Sequence, residues 1–185
     1  MSVKGLPFII ILLVLSYLST TIAQEQISYS FSHPSDVNEY TVQHIIEVND
    51  VPGHIIRIAS IVSAEEDGWL SLDPPVEFNG IKVASTEAHF STDYINFNGM
   101  LEGYMIYHME NGDKIFAELK GAAQTKFKDD GTLDVSHYSG VDTFTGGTGM
   151  FEGIRGMFRH TSVTDPTRGV GPTVDRDGSY WFVGQ

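Results

Sequence analysis

Ser136, His137, Asp134 and Asp142 put the residue types of a hydrolytic triad on one stretch of chain. A triad needs its hydroxyl and imidazole side by side. Adjacent residues of an extended segment point to opposite faces, and no Gly-x-Ser-x-Gly elbow is present, so a serine hydrolase is disfavoured. His44, His54, His89, His108, His137 and His160 fall on six separate extended segments, with no two at i, i+2 spacing, so no metal centre is expected. Asp129-Asp130-Gly131 and Asp175-Arg176-Asp177-Gly178 combine carboxylates with a turn glycine, but neither completes a calcium loop and both read as ordinary turns. Gly146-Gly147-Thr148-Gly149 lacks the Lys-Ser/Thr pair and the helix of a phosphate-cradling loop, which argues against nucleotide binding. The chain has no cysteine, so thiolate catalysis, a Cys-containing zinc site and disulfide staples are all excluded. No cofactor is implied.

The elements that must position these residues belong to a chain of 185 residues carrying 11 Lys and Arg against 24 Asp and Glu, a net charge of −13. That balance provides no basic footprint for nucleic acid or for an anionic membrane surface. The opening residues read as a secretory signal peptide, 1–23: Lys4 is the only charge before the apolar run FIIILLVL at 8–15, and Thr21-Ile22-Ala23 supplies the small residues of a cleavage site. The run is too short to span a bilayer, so cleavage leaves no stable membrane span and one domain, 24–185, in an exported protein, extracellular or periplasmic.

Across that domain the hydrophobic pattern repeats every two residues. The segments 41–48, 54–63, 81–92, 100–109, 114–127, 132–145, 153–163 and 179–183 are rich in Val, Ile, Thr, Phe and Tyr and are bounded by Gly, Pro, Asn or Asp, which predicts strands. No window sustains the 3.6-residue period of a helix, and at most one helical turn is expected within 63–68. Asn111-Gly112 predicts a type I′ hairpin between 100–109 and 114–127, and Asp129-Asp130-Gly131 a second tight turn. About eight antiparallel strands fit either a closed up-and-down barrel or a sandwich. The long connection 165–178, with Pro166 and Pro172, reads as a loop, either a lid over one end of the barrel or a mobile connection.

Alternation separates the faces. Ile115, Ala117 and Leu119 share a core face opposite Lys114, Glu118 and Lys120. Leu101, Met105, Tyr107 and Met109 form one face of their strand, and Glu102, Tyr104, Ile106 and His108 form an amphipathic second face able to meet a partner or line a cavity.

The segment TGGTGMFEGIRG at 145–156 resembles the TGG-(S/T)-G-x-F-x-G-x-x-G segment of the allene oxide cyclase barrel superfamily, to which dirigent proteins are related. Its glycines permit a tight turn and close strand approach, and Phe151 is placed to insert as a plug. The resemblance implies a closed antiparallel β-barrel and, by the superfamily's habit, a homo-oligomer such as a trimer. Glu47-Val48-Asn49 matches the E-x-N of plant allene oxide cyclases, which implies Glu47 as a stabiliser of developing positive charge and Asn49 as a holder of bound water. The family's Ser-Pro pair is represented only by Pro52, with no serine before it. An enclosed carboxylate at Glu47 would have its pKa raised by desolvation, whereas a solvated one would merely end a strand before the turn 49–52.

With two Trp, eight Tyr and eleven Phe in the whole chain, the interior of such a barrel is able to hold an apolar ligand. The leading expectation is an exported β-barrel that binds a small apolar or amphipathic molecule, with Pro52, Tyr104, Tyr107 and Phe151 as its contacts. Two alternatives stand beside it: an isomerase or cyclase of allene oxide cyclase type using Glu47 and Asn49, and an oligomeric interaction module without a ligand.

Overall fold

The computed structural model describes residues 25–34, 39–64 and 75–184, so the expected signal peptide and the helical turn expected within 63–68 lie wholly or largely outside the described residues. Ten strands account for most of the rest: β1 (Ile27–Pro34), β2 (Glu39–Glu47), β3 (His54–Ala64), β4 (Glu77–Phe78), β5 (Ile81–Ile95), β6 (Asn98–Met109), β7 (Lys114–Phe127), β8 (Leu133–Gly147), β9 (Ile154–Asp165) and β10 (Val170–Phe182). Two 3-10 turns, Gly149–Phe151 and Pro166–Arg168, are the only helical pieces among the described residues. All pairings are antiparallel.

Two strands were not expected, and one is far longer than expected. β1 alternates Ile27, Tyr29 and Phe31 with serines. β10 begins at Val170, inside the stretch read as a loop, because its Pro, Gly and Asp residues mask a segment that pairs with β9 on one side and β1 on the other.

The strand order is β1-β10-β9-β8-β7-β6-β5-β3-β2, with β4 attached only to β5. The expected closed barrel is therefore corrected: the ladder is an open path whose ends, β1 and β2, are not paired with each other among the described residues. The open end leaves β2 exposed. Its residues 41–47 are all exposed, including Val42, Ile45 and Ile46.

The sheet nevertheless curls strongly around its concave face. Phe78, on the short strand β4, is 1% exposed and packs against Tyr29 of β1, Tyr107 of β6, Phe144 of β8, Phe158 of β9 and Tyr180 of β10, with ring centroids 4.5 to 6.4 Å apart. Rings from strands far apart in the ladder can meet one side chain only if the sheet wraps it. The Asn79 backbone N–H donates to the Tyr180 hydroxyl oxygen at 2.9 Å and ties this inward hairpin to β10. Met109, Ile115, Phe151 and Ile154 complete a sealed end.

The turns are built by three different rules. At Glu110–Asn111–Gly112 only Gly112 has positive φ, and the Gly112 N–H donates to the Met109 carbonyl while the Met109 N–H donates to the Asp113 carbonyl. This is a three-residue loop closed by a left-handed glycine, not the expected type I′ turn, and 128–132 repeats it around Gly131. Two-residue turns with positive φ at both positions occur elsewhere, at Asn79-Gly80 and at Asn96-Phe97. After β8 the glycine string closes differently: the Phe151 N–H donates to the Thr148 carbonyl, and Gly153 holds φ +78° where a Cβ would collide with the Val183 carbonyl.

Candidate functional site

On the concave face, inward positions change size along β7, β8 and β9. Toward the sealed end they include Ile115, Phe144, Ile154 and Phe158, and toward the other end Ala123, Thr125, Ser136 and Ser162, while Ser63, Thr86 and Ala88 on β3 and β5 add small side chains to the wall. Small side chains leave space that the sheet cannot collapse to fill, and a cavity of about 490 Å³ results. Its apolar wall is Ile61, Phe90, Leu101, Met105, Leu119 and Val174, and Phe97 stands at its rim.

Between the sealed end and the cavity lies a layer of polar groups on three adjacent strands, two of them buried and the third, His160, half-buried on the cavity wall. Asp142 is inward on β8 between Gly140 and Phe144, His160 on β9 between Phe158 and Ser162, and Arg176 on β10 between Val174 and Gly178. The Arg176 Nε donates to Asp142 Oδ2 at 2.8 Å, and His160 Nδ1 lies 3.2 Å from Asp142 Oδ1. Both oxygens of a carboxylate that has no exposed surface are thereby engaged. The Arg176 guanidinium also lies over the Phe31 ring, 5.5 Å from its centroid.

The electrostatics follow from burial against partners. Burial pushes Asp142 upward, but the Arg176 charge and the hydrogen bonds from His160 and Arg176 outweigh it and hold the carboxyl below its ordinary range. Burial opposes the charge on Arg176 too, yet the Asp142 carboxylate, through its charge and its hydrogen bond, keeps it protonated. Burial, followed by the Arg176 charge, pushes the His160 imidazolium down in spite of Asp142, so the ring is neutral at neutral pH. Tyr138, on the cavity wall, packs edge-on against His160 with centroids 4.8 Å apart. Its hydroxyl lies against Gly121 and Gly140, where a Cβ would overlap it, and it is buried with no hydrogen-bond partner.

The residues expected to carry function are scattered relative to this cavity. Glu47 ends β2 and Asn49 follows it; both are exposed, neither lines the cavity, and Ile45 on the same strand is more than half exposed rather than forming a wall around the carboxylate. Pro52 is exposed in the β2–β3 turn. Tyr104 projects from the convex face into a shallow groove with His89, Glu102 and Lys120. Tyr107 and Phe151 are buried at the sealed end, below the polar layer.

Sequence reasoning misses Arg176, which falls in the stretch read as a loop, and does not single out His160 among six dispersed imidazoles. The signal that finds Asp142 is a charged residue in register with Tyr138, Gly140 and Phe144 on an inward row. Among the described residues no three His, Asp or Glu side chains converge to hold a metal, and no helix is long and apolar enough to cross a membrane. No protein-family model, no curated protein and no solved structure matches this chain.

Proposed function

We propose that this is an exported protein that holds a small apolar or amphipathic molecule in the cavity at the unsealed end of its curled sheet. One observation carries the reading: about 490 Å³ of concave space with an apolar wall and a few polar groups concentrated near one layer, the composition and size of ordinary small-molecule sites. The resemblance at 145–156 bears on the fold, because that segment builds the sealed end and not the cavity wall. Cyclase chemistry at Glu47 draws less support, since a charge stabiliser works best where water is excluded and Glu47 is exposed.

The test is titration with the neutral fluorophore N-phenylnaphthylamine. Saturable binding is expected, and Ala123→Trp, which fills the cavity from β7, should weaken it by about tenfold or more without lowering the denaturation midpoint. Equal binding by both proteins would place the probe elsewhere and reject the cavity as the site.

A second reading, assembly with another copy of this chain, draws on β2. Val42, Ile45 and Ile46 are 38%, 58% and 52% exposed on a strand whose outer edge has no partner among the described residues, an arrangement that invites strand pairing. Sedimentation showing only monomer at all working concentrations would remove it.

A further inference from the structure

The polar layer beneath the cavity specifies more than an apolar occupant. Resting on the proposal that the cavity is a binding site, we infer that it selects a neutral, hydroxyl-bearing amphiphile, whose O–H donates to His160 Nε2, and that it rejects carboxylates of the same length.

The first support is the charge of the wall. Among the described residues no Lys, Arg, Asp or Glu lines the cavity, and the nearby Arg176 is committed to Asp142 at 2.8 Å. A carboxylate entering this space would lose its hydration without gaining a cation, next to a carboxylate already there, and burying an unpaired charge is strongly unfavourable. A neutral ligand meets no such penalty.

The second support is the tautomer that Asp142 imposes. A carboxylate only accepts, so the contact at 3.2 Å requires a proton on His160 Nδ1. In the neutral ring that leaves Nε2 as a bare acceptor, and it engages no partner among the described residues. An acceptor of this kind is complementary to an O–H donor. An ether or an ester of the same shape has no proton to give and leaves the nitrogen unsatisfied.

The third support is Tyr138. Its ring flanks His160, and its buried hydroxyl is without a hydrogen-bond partner on the same wall. Gly121 and Gly140 are the residues that let it lie there. A ligand hydroxyl bound at His160 has two lone pairs left, and the unpartnered Tyr138 O–H on the same wall is a donor that such an oxygen can accept.

Displacement of N-phenylnaphthylamine by decanol, methyl decyl ether and decanoate at neutral pH tests this. Decanol should bind about tenfold more tightly than either of the others, the worth of one well-formed hydrogen bond. In His160→Phe, which keeps a ring of similar size, decanol and the ether should converge to within about twofold while the probe still binds. Decanoate binding as tightly as decanol, or an alcohol preference that survives His160→Phe, would overturn the inference. If His160→Phe does not fold, the wild-type alcohol-to-ether and alcohol-to-decanoate ratios decide it. A probe that binds with no preference among the three ligands defeats this inference alone. A probe that never binds defeats the cavity reading as well.

Discussion

The two ends of the curled sheet are made by the same strands and the same alternation, yet one is solid and the other hollow. At the sealed end, Phe78, Tyr107, Phe144, Phe151 and Tyr180 fill the concave side, and the inward hairpin turns through Asn79-Gly80, where both residues hold positive φ. At the hollow end, Ala123, Thr125, Ser136 and Ser162 take inward positions on β7 to β9, and the matching two-residue turn is Asn96-Phe97, with a phenylalanine at φ +63°. Period-two patterning fixes which side chains face inward; only their volume decides whether the space closes. The buried Asp142 and Arg176, with the half-buried His160, separate the two regimes.

That boundary is the place to break the comparison with the largest effect. Asp142→Ala removes the carboxylate from a buried Arg176 and should cost about 3–5 kcal/mol, read as a drop in the urea midpoint. The neighbouring Arg159 and Asp177 pair has the same 2.8 Å geometry on β9 and β10 but is exposed. Asp177→Ala should cost no more than about 1 kcal/mol. Equal losses would mean that burial is not what distinguishes the two pairs.

A smaller effect is expected at the rim. Phe97→Gly gives the hollow end the Asn-Gly turn that the sealed end already has at Asn79-Gly80. Relief of the strained φ should raise stability by about 1 kcal/mol, offset in part by loss of the edge contact with Phe127 at 5.4 Å and of Arg57 over the ring at 5.5 Å. A net loss of stability would show that these contacts outweigh the strain.

The smallest effect is the pH response of the boundary layer. The folded state holds His160 below its ordinary value of 6.5. As pH falls below that value, the unfolded chain takes up a proton that the folded chain refuses, so stability declines until the folded value is reached. Above 6.5 the penalty is absent. Asp142, also held low, adds stability above its ordinary 3.8 that is lost only as pH falls below it. Urea midpoints measured between neutral pH and about pH 5 should fall with acid in the wild type and fall less in His160→Phe. Parallel slopes would assign the response to other groups.

Much of the fold is legible in the alternation. The 114–127 strand, its Ile115, Ala117 and Leu119 core face, and the inward row Leu101, Met105, Tyr107 and Met109 all lie where period two puts them. β1 escapes a reading by composition although Ile27, Tyr29 and Phe31 alternate with serines, and β10 is hidden because Pro172, Gly178 and three charged residues look like a connection. The consequence falls on function, because Arg176 lies in the hidden part.

By itself the sequence determined an antiparallel, all-β chain, because side-chain alternation and turn residues are local properties that need no partner to be read. The open ladder with β1 and β2 at its ends, the hollow beside the sealed core, and the meeting of Asp142, His160 and Arg176 were decided only in three dimensions. Those features depend on curvature and on register between strands distant in the chain. Both arise from the summed packing of many side chains, and no single segment encodes them.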